Sequence, residues 1–208
     1  MSIEIWAAFV CAAAILLVIP GPTILLVLSQ ALTHGRKSVV PLVAGVVCGD
    51  FTAMTLSLLG LGAILSASAI LFTMLKWIGA VYLVYLGVQL WRSRPDDGGF
   101  PAPAVVRSKG SLFKGSFIVT ALNPKSIVFF IAFLPQFVDP KEQPQLQLLI
   151  LGATFLLLAG INATLYAIFA DNVRDAMRNS AVRRWFTLCG GTVLIGAGAL
   201  TVAMQRSS

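Results

Sequence analysis

Pro20-Gly21-Pro22 and Asn123-Pro124-Lys125 each interrupt a run of sequence apolar enough to cross a lipid bilayer, and 102 residues separate Pro22 from Pro124. Proline inside a helix removes a backbone donor and clashes with the carbonyl one turn back. Hydrocarbon offers no replacement for the lost bonds, so a break at mid-depth is tolerated only against protein or a water-filled cavity. Paired breaks in the two halves of a chain are the sequence mark of a transporter site.

Working outward from the two breaks, the 208 residues are 58% hydrophobic and 11% charged, with a mean hydropathy of +0.90. That balance belongs to a polytopic membrane protein, not to a soluble domain. Runs of about 20 apolar residues occur at Ile3 to Leu28, Val39 to Leu65, Ala69 to Trp91, Gly115 to Phe137, Leu146 to Ala170 and Trp185 to Met204. The expected fold is all-α, with six transmembrane helices of which the first and fourth are broken. Residues 94–110 contain Pro95, Asp96, Asp97, Gly98, Gly99, Pro101 and Pro103, a composition that reads as a linker. It separates a first half, 1–93, from a second half, 111–208, each with three spans. An odd number of crossings per half turns a duplicated unit upside down, which predicts a 3+3 inverted repeat. Lys76-Trp77 at the start of the third span and Arg184-Trp185 at the start of the sixth echo that symmetry.

The net charge is +7, and its placement matters more than its sum. Arg36 and Lys37 fall in the first loop, Arg92, Arg94, Arg107, Lys109 and Lys114 in the third, and Arg174, Arg178, Arg183 and Arg184 in the fifth. The positive-inside rule puts these odd loops, 94–110 included, in the cytoplasm and both termini in the periplasm. The basic loops are short and lack interleaved aromatics, which argues against nucleic acid as a partner. No basic segment precedes Ile5 and the apolar run continues to Leu28, so a retained first span is expected, not a cleaved leader. Cys11, Cys48 and Cys189 form no close pair, and no redox or zinc site is expected. His34, the single histidine, sits in a loop, and no second deeply placed aspartate accompanies Asp50. No catalytic residue, metal or cofactor is expected, and the chain does not read as an enzyme.

Asp50 stands near the centre of the second span, where a charged side chain costs about 2.5 to 3.5 kcal/mol on insertion scales. Its functional reading is a ligand for a substrate ammonium group or a carrier of protons; the plainer one is a constant polar contact between helices. Asn123 is a favoured N-cap and Pro124 is favoured at the first helical position, so a new helix is expected to start there. Its amino end would carry partial positive charge. With Lys125 beside it, that end suits a carboxylate. The alternative is a proline kink whose lysine snorkels to the surface, but Lys125 lies about 15 Å along the helix from the inner end of the span. In the first span Gly21 would permit unusual torsions, Pro22 would start a second half-helix, and Thr23 would bring a hydroxyl to the opening. Tyr82, Tyr85, Gln89, Asn162, Thr164 and Tyr166 are candidates for polar cavity lining. Gly45, Gly49, Gly152 and Gly160 are expected to let helices approach closely.

In combination, several stretches carry a resemblance: Pro20-Gly21-Pro22, Gly45 through Gly49-Asp50, Trp77-Ile78-Gly79-Ala80, Tyr82-Leu83, Tyr85-Leu86-Gly87, Asn123-Pro124-Lys125, Phe129-Phe130 and Pro135-Gln136-Phe137. With them the chain resembles the lysine exporter and homoserine/threonine exporter family of bacterial inner-membrane amino-acid efflux proteins. The resemblance implies proton-driven export of amino acids or close derivatives, with protons and lipid as its other partners and room for a homodimer. An α-amino acid has a carboxylate for Lys125 and an ammonium for Asp50, which are expected to attract each other when no substrate intervenes. Another small-solute or ion carrier is the alternative; a membrane thiol-disulfide carrier is disfavoured because the cysteines are unpaired in sequence.

Overall fold

Helix ends in this chain fall where the backbone runs out of donors or gains a cap. The structure, a computed structural model, describes residues 1–67, 108–139 and 142–179 together with scattered positions between 74 and 92 and between 181 and 196. Among these residues the secondary structure is helical throughout, with no strand. Most of the expected third and sixth spans, the 94–107 linker, and Tyr82, Gly79 and Gln89 lie outside the described residues.

Helix α1, Ile3–Val18, starts at Ser2, whose hydroxyl accepts from the Ile5 amide. It stops before Pro20, and α2, Pro22–His34, begins with Gly21 as N-cap and Pro22 at its first position. Gly21 has φ −109°, an ordinary extended backbone, so the expected unusual torsion is absent. The residue that needs glycine for its torsion is Gly35 (φ 61°), which opens the short 3-10 turn Gly35–Ser38. Helix α3 follows, Val39–Ala67. Residues Pro22–Gly60 are apolar and long enough to count as one candidate span, yet Thr23 and Asp50 line a common cavity. On a straight helix they would be about 40 Å apart. The chain therefore folds back at Gly35–Ser38.

Helix α4, Lys109–Ala121, is capped by Ser108, and α5, Pro124–Val128, by Asn123, whose Oδ1 accepts from the Lys125 amide at 3.1 Å. This is the cap and first-turn proline expected from sequence. The two segments Lys109–Ala121 and Pro124–Phe137 meet at 44°. Beyond α5 the helix widens to a π turn at Phe129–Phe133 and tightens to 3-10 at Leu134–Phe137. Such a widened turn is rare. Here it puts Phe129, Phe130 and Phe133 into the core, with the Phe130 and Phe155 rings edge to face at 4.9 Å. Helix α6, Pro144–Ile168, and the amphipathic α7, Ala170–Arg178, complete the described elements. Helix α6 is a second candidate span, and the bent pair makes a third if taken as one crossing.

Gly45 and Gly49 on α3 face α4. A methyl at Gly45 would collide with the Ser116 hydroxyl and the Phe113 carbonyl; one at Gly49 would sit 2.8 Å from both the Phe117 carbonyl oxygen and Thr120 Cβ. The backbones touch because these positions are small. Two apolar clusters result. One joins Phe9, Leu16, Ala53, Phe130, Leu134 and Phe155; the other joins Val27, Leu28, Leu42, Val46, Leu112 and Ala163. Four of the crossings from one cluster to the other run wholly through described residues, and each passes polar or interrupted sequence: the break at 19–21, Asp50, the 120–126 bend, and Asn162.

Candidate functional site

The last four carbonyls of a helix have no partner within it. At the end of α1 these belong to Leu16, Leu17, Val18 and Ile19, and side chains from distant helices take all four. Lys125 Nζ donates to Leu16 O and Ile19 O, each at 2.9 Å. Asn162 Nδ2 donates to Leu17 O at 3.0 Å and the Tyr166 hydroxyl to Val18 O at 2.6 Å. Four residues of separation place Asn162 and Tyr166 on one face of α6, one turn apart. The interruption at Pro20 is thus stabilised by donors from α5 and α6, and the partial negative charge of a helix C-terminus is met by an ammonium group.

The second interruption meets the first. Asn123 Nδ2 donates to Thr23 Oγ1 at 3.1 Å, and the Thr120 hydroxyl donates to the same oxygen at 3.3 Å. Thr23 is buried on the first turn of α2, so the N-termini of α2 and α5 are tied directly together.

Asp50 projects from α3 into this junction. It is 3% exposed and its Oδ1 has no hydrogen-bond partner. Ser126 and Lys125 line the same cavity as the carboxylate. Among the described residues no ion pair joins Asp50 to Lys125. The expected mutual attraction is therefore not a contact in this conformation, for a physical reason: the ammonium lies beside four uncapped carbonyls and takes two of them. Lys125 likewise does not lean on the amino end of its own helix.

Gly21, Thr23, Asp50, Asn123, Lys125 and Asn162 line one cavity with Leu17, Ile24, Val46, Ser126 and Ala159. Pro22 and Pro124 head the two helices whose first turns bound it. The cavity measures about 30 Å³, enough for a water molecule or two. Pockets that hold small organic ligands start near 300 Å³, so this conformation is tightly closed around its polar groups. The lysine passes close to Gly21: a methyl there would lie in van der Waals contact, 3.4 Å from Lys125 Nζ. Tyr82 lies outside the described residues, and Tyr85 is exposed. Ser126 and the carbonyl-binding role of Tyr166 were not singled out from sequence; Ser126 carries no signal beyond its place after Lys125. Among the described residues no cluster of side chains has the make-up of a metal site.

The other polar features lie away from the junction. The amino terminus pairs with Glu142 at 2.6 Å, just before α6, and Trp6 Nε1 donates to Thr154 Oγ1 further along that helix.

Comparison with known proteins bears on what this arrangement does. A family model described as LysE type translocator matches residues 14–205. A homoserine/homoserine lactone efflux protein of Salmonella typhimurium is 33% identical over 208 residues, covering the whole of both chains. A leucine efflux protein of Salmonella choleraesuis is 34% identical over 134 residues, 64% of this chain and 63% of that one. An uncharacterized membrane protein of Vibrio cholerae is 31% identical over 204 residues, 96% of this chain and 97% of its own. No solved structure matches the chain.

Proposed function

This chain belongs to the LysE-type translocator family of amino-acid efflux transporters, which are membrane proteins and not enzymes, and from that premise we propose that it exports homoserine, leucine or a close relative by proton antiport. In this reading the membrane is the bacterial inner membrane, six helices cross it, and both termini face the periplasm. The halves 1–93 and 111–208 form a 3+3 inverted repeat joined by the cytoplasmic linker 94–110. Two features support the repeat: Gly21-Pro22 and Asn123-Pro124 hold the same N-cap and first-turn positions of their helices, 102 residues apart, and their first turns are bonded to each other. The pairs α1 with α2, and α4 with α5, are then the halves of broken spans.

The observation that carries the proposal is the buried, unpartnered Asp50 oxygen at a cavity also lined by Lys125. Such intramembrane charges are retained for binding or coupling. Asp50 serves as the acceptor for the substrate ammonium and for the exchanged proton. Gly21, Pro22, Thr23, Asn123, Pro124, Lys125, Asn162 and, on the third span, Tyr82 form the substrate site. Because the cavity is small in this conformation, admission of an amino acid requires the halves to rock apart to one side and then the other.

The test is accumulation of labelled homoserine and leucine in inside-out vesicles energised by a proton gradient. Uptake against the concentration gradient, abolished by an uncoupler, is expected. Equilibration without accumulation would show a passive pore, and loss of uptake on replacing Cys11, Cys48 and Cys189 together would favour thiol chemistry.

A further inference from the structure

We propose that the C-terminal carbonyls of α1 are the binding site for the substrate's ammonium group, and that Lys125 occupies it in the closed conformation as a tethered stand-in that the substrate displaces. This rests on the amino-acid efflux reading and specifies how that site recognises its cargo.

The structure shows that the place accepts a primary ammonium, because one is there: Lys125 Nζ, 2.9 Å from Leu16 O and 2.9 Å from Ile19 O. The helix C-terminus supplies partial negative charge, and half-helix ends of this kind coordinate cations in transporters. An ammonium has three donors, and for Lys125 these two carbonyls are its hydrogen-bond partners. A third acceptor, Asp50 Oδ1, stands unpartnered and buried on the same cavity. The Lys125 side chain reaches the carbonyls past Gly21, with its Cδ, Cε and Nζ all near that residue. The lysine ammonium makes no ion pair with Asp50; an untethered ammonium can settle between the carbonyls and that carboxylate, and so gains a bond over the lysine it replaces.

Displacement leaves Lys125 charged and needing an anion, and an α-amino acid brings one on the same carbon as its ammonium. The exchange conserves charge at the site: the ammonium goes to the carbonyls and Asp50, the carboxylate to Lys125. It also releases a direct tie between α1 and α5, the elements on the two sides of the junction. Asn162 and Tyr166, held on the intervening carbonyls of Leu17 and Val18, keep α1 in register with α6 while the tie is open. Lys125 thereby sets specificity for the carboxylate, and α1 sets it for the ammonium.

The experiment compares wild-type protein with Lys125→Met, both purified at full length and checked for cooperative thermal unfolding. Propylammonium, an ammonium with no carboxylate, should bind the variant more than about tenfold more tightly than wild type, since the lysine no longer competes for charge-strengthened bonds. In transport, the variant should lose homoserine but keep homoserine lactone, which has the ammonium and no carboxylate. Equal propylammonium affinity in both proteins, or parallel loss of homoserine and lactone, overturns the proposal. If the variant does not fold, wild-type competition against labelled homoserine decides. There 4-hydroxybutyrate, which lacks the ammonium, should compete more than about tenfold more weakly than homoserine; equal competition would show that the carbonyls contribute nothing. Export by the wild type is read separately, so efflux can stand while the displacement fails.

Discussion

Removing one oxygen at Tyr166 isolates the capping of α1 from every other property of the site. Tyr166→Phe keeps the ring, which is 9% exposed and packed in the cluster of Val27, Leu28 and Leu42, and deletes the hydroxyl that donates to Val18 O at 2.6 Å. Leaving a buried carbonyl unpaired in a soluble protein costs about 1 to 3 kcal/mol. Within a bilayer the relevant figure is smaller, averaging about 0.6 and reaching about 1.7 kcal/mol, because the helices of the unfolded state also find partners. The short bond to a helix-terminal carbonyl belongs at the upper end of that range, so about 1.5 kcal/mol is expected. Asn162→Leu, which frees Leu17 O, should cost a similar amount. The two carbonyls are adjacent, so the double variant should depart measurably from additivity. Unfolding equilibria in bicelles, followed by steric trapping or denaturant titration, give the numbers. A Tyr166→Phe protein within about 0.2 kcal/mol of wild type would refute the capping account, since that difference is well below the average of about 0.6 kcal/mol for a bond of this kind.

Three further outcomes follow from the packing. Gly49→Ala places a methyl 2.8 Å from the Phe117 carbonyl oxygen and from Thr120 Cβ, and overpacking of this sort costs about 1 to 3 kcal/mol; because Asp50 is the next residue, export should fall at least as steeply as stability, measured side by side in proteoliposomes and by thermal unfolding. Asn123→Ala removes both the N-cap of α5 and the bond to Thr23, so a loss of about 1 kcal/mol or more is expected together with reduced transport, whereas Asn123→Asp, which retains the capping oxygen, should keep more of the stability. Replacing Cys11, Cys48 and Cys189 with alanine should leave export unchanged, as all three are exposed on the described surface and none lines the cavity.

Much of the junction was legible in the sequence because it violates local rules. Asp50 is conspicuous as a lone charge in an apolar run, and Asn123-Pro124 is a helix start in any environment. Gly45 and Gly49 were readable as a packing face because four-residue spacing puts them on one side of a helix. The hydrogen bonds from Asn162 and Tyr166 were not, since their partners lie 145 and 148 residues away and nothing in local spacing selects them. The contacts of Lys125 were not legible for a related reason. Sequence shows the positive end of the helix it starts, but not the negative end of the helix it meets. The π turn at Phe129–Phe133 likewise leaves no mark that separates it from an apolar α-helix.

The central claim is that Asp50, buried and with one oxygen unpartnered, couples proton movement to amino-acid movement. It is tested most directly by recording substrate-induced proton flux in proteoliposomes loaded with a pH-sensitive dye, for wild type and Asp50→Asn at equal protein density. The account predicts that homoserine or leucine drives a proton current in the wild type and none in the variant. An Asp50→Asn protein that moves protons and substrate at the wild-type rate and with the same pH dependence would contradict it.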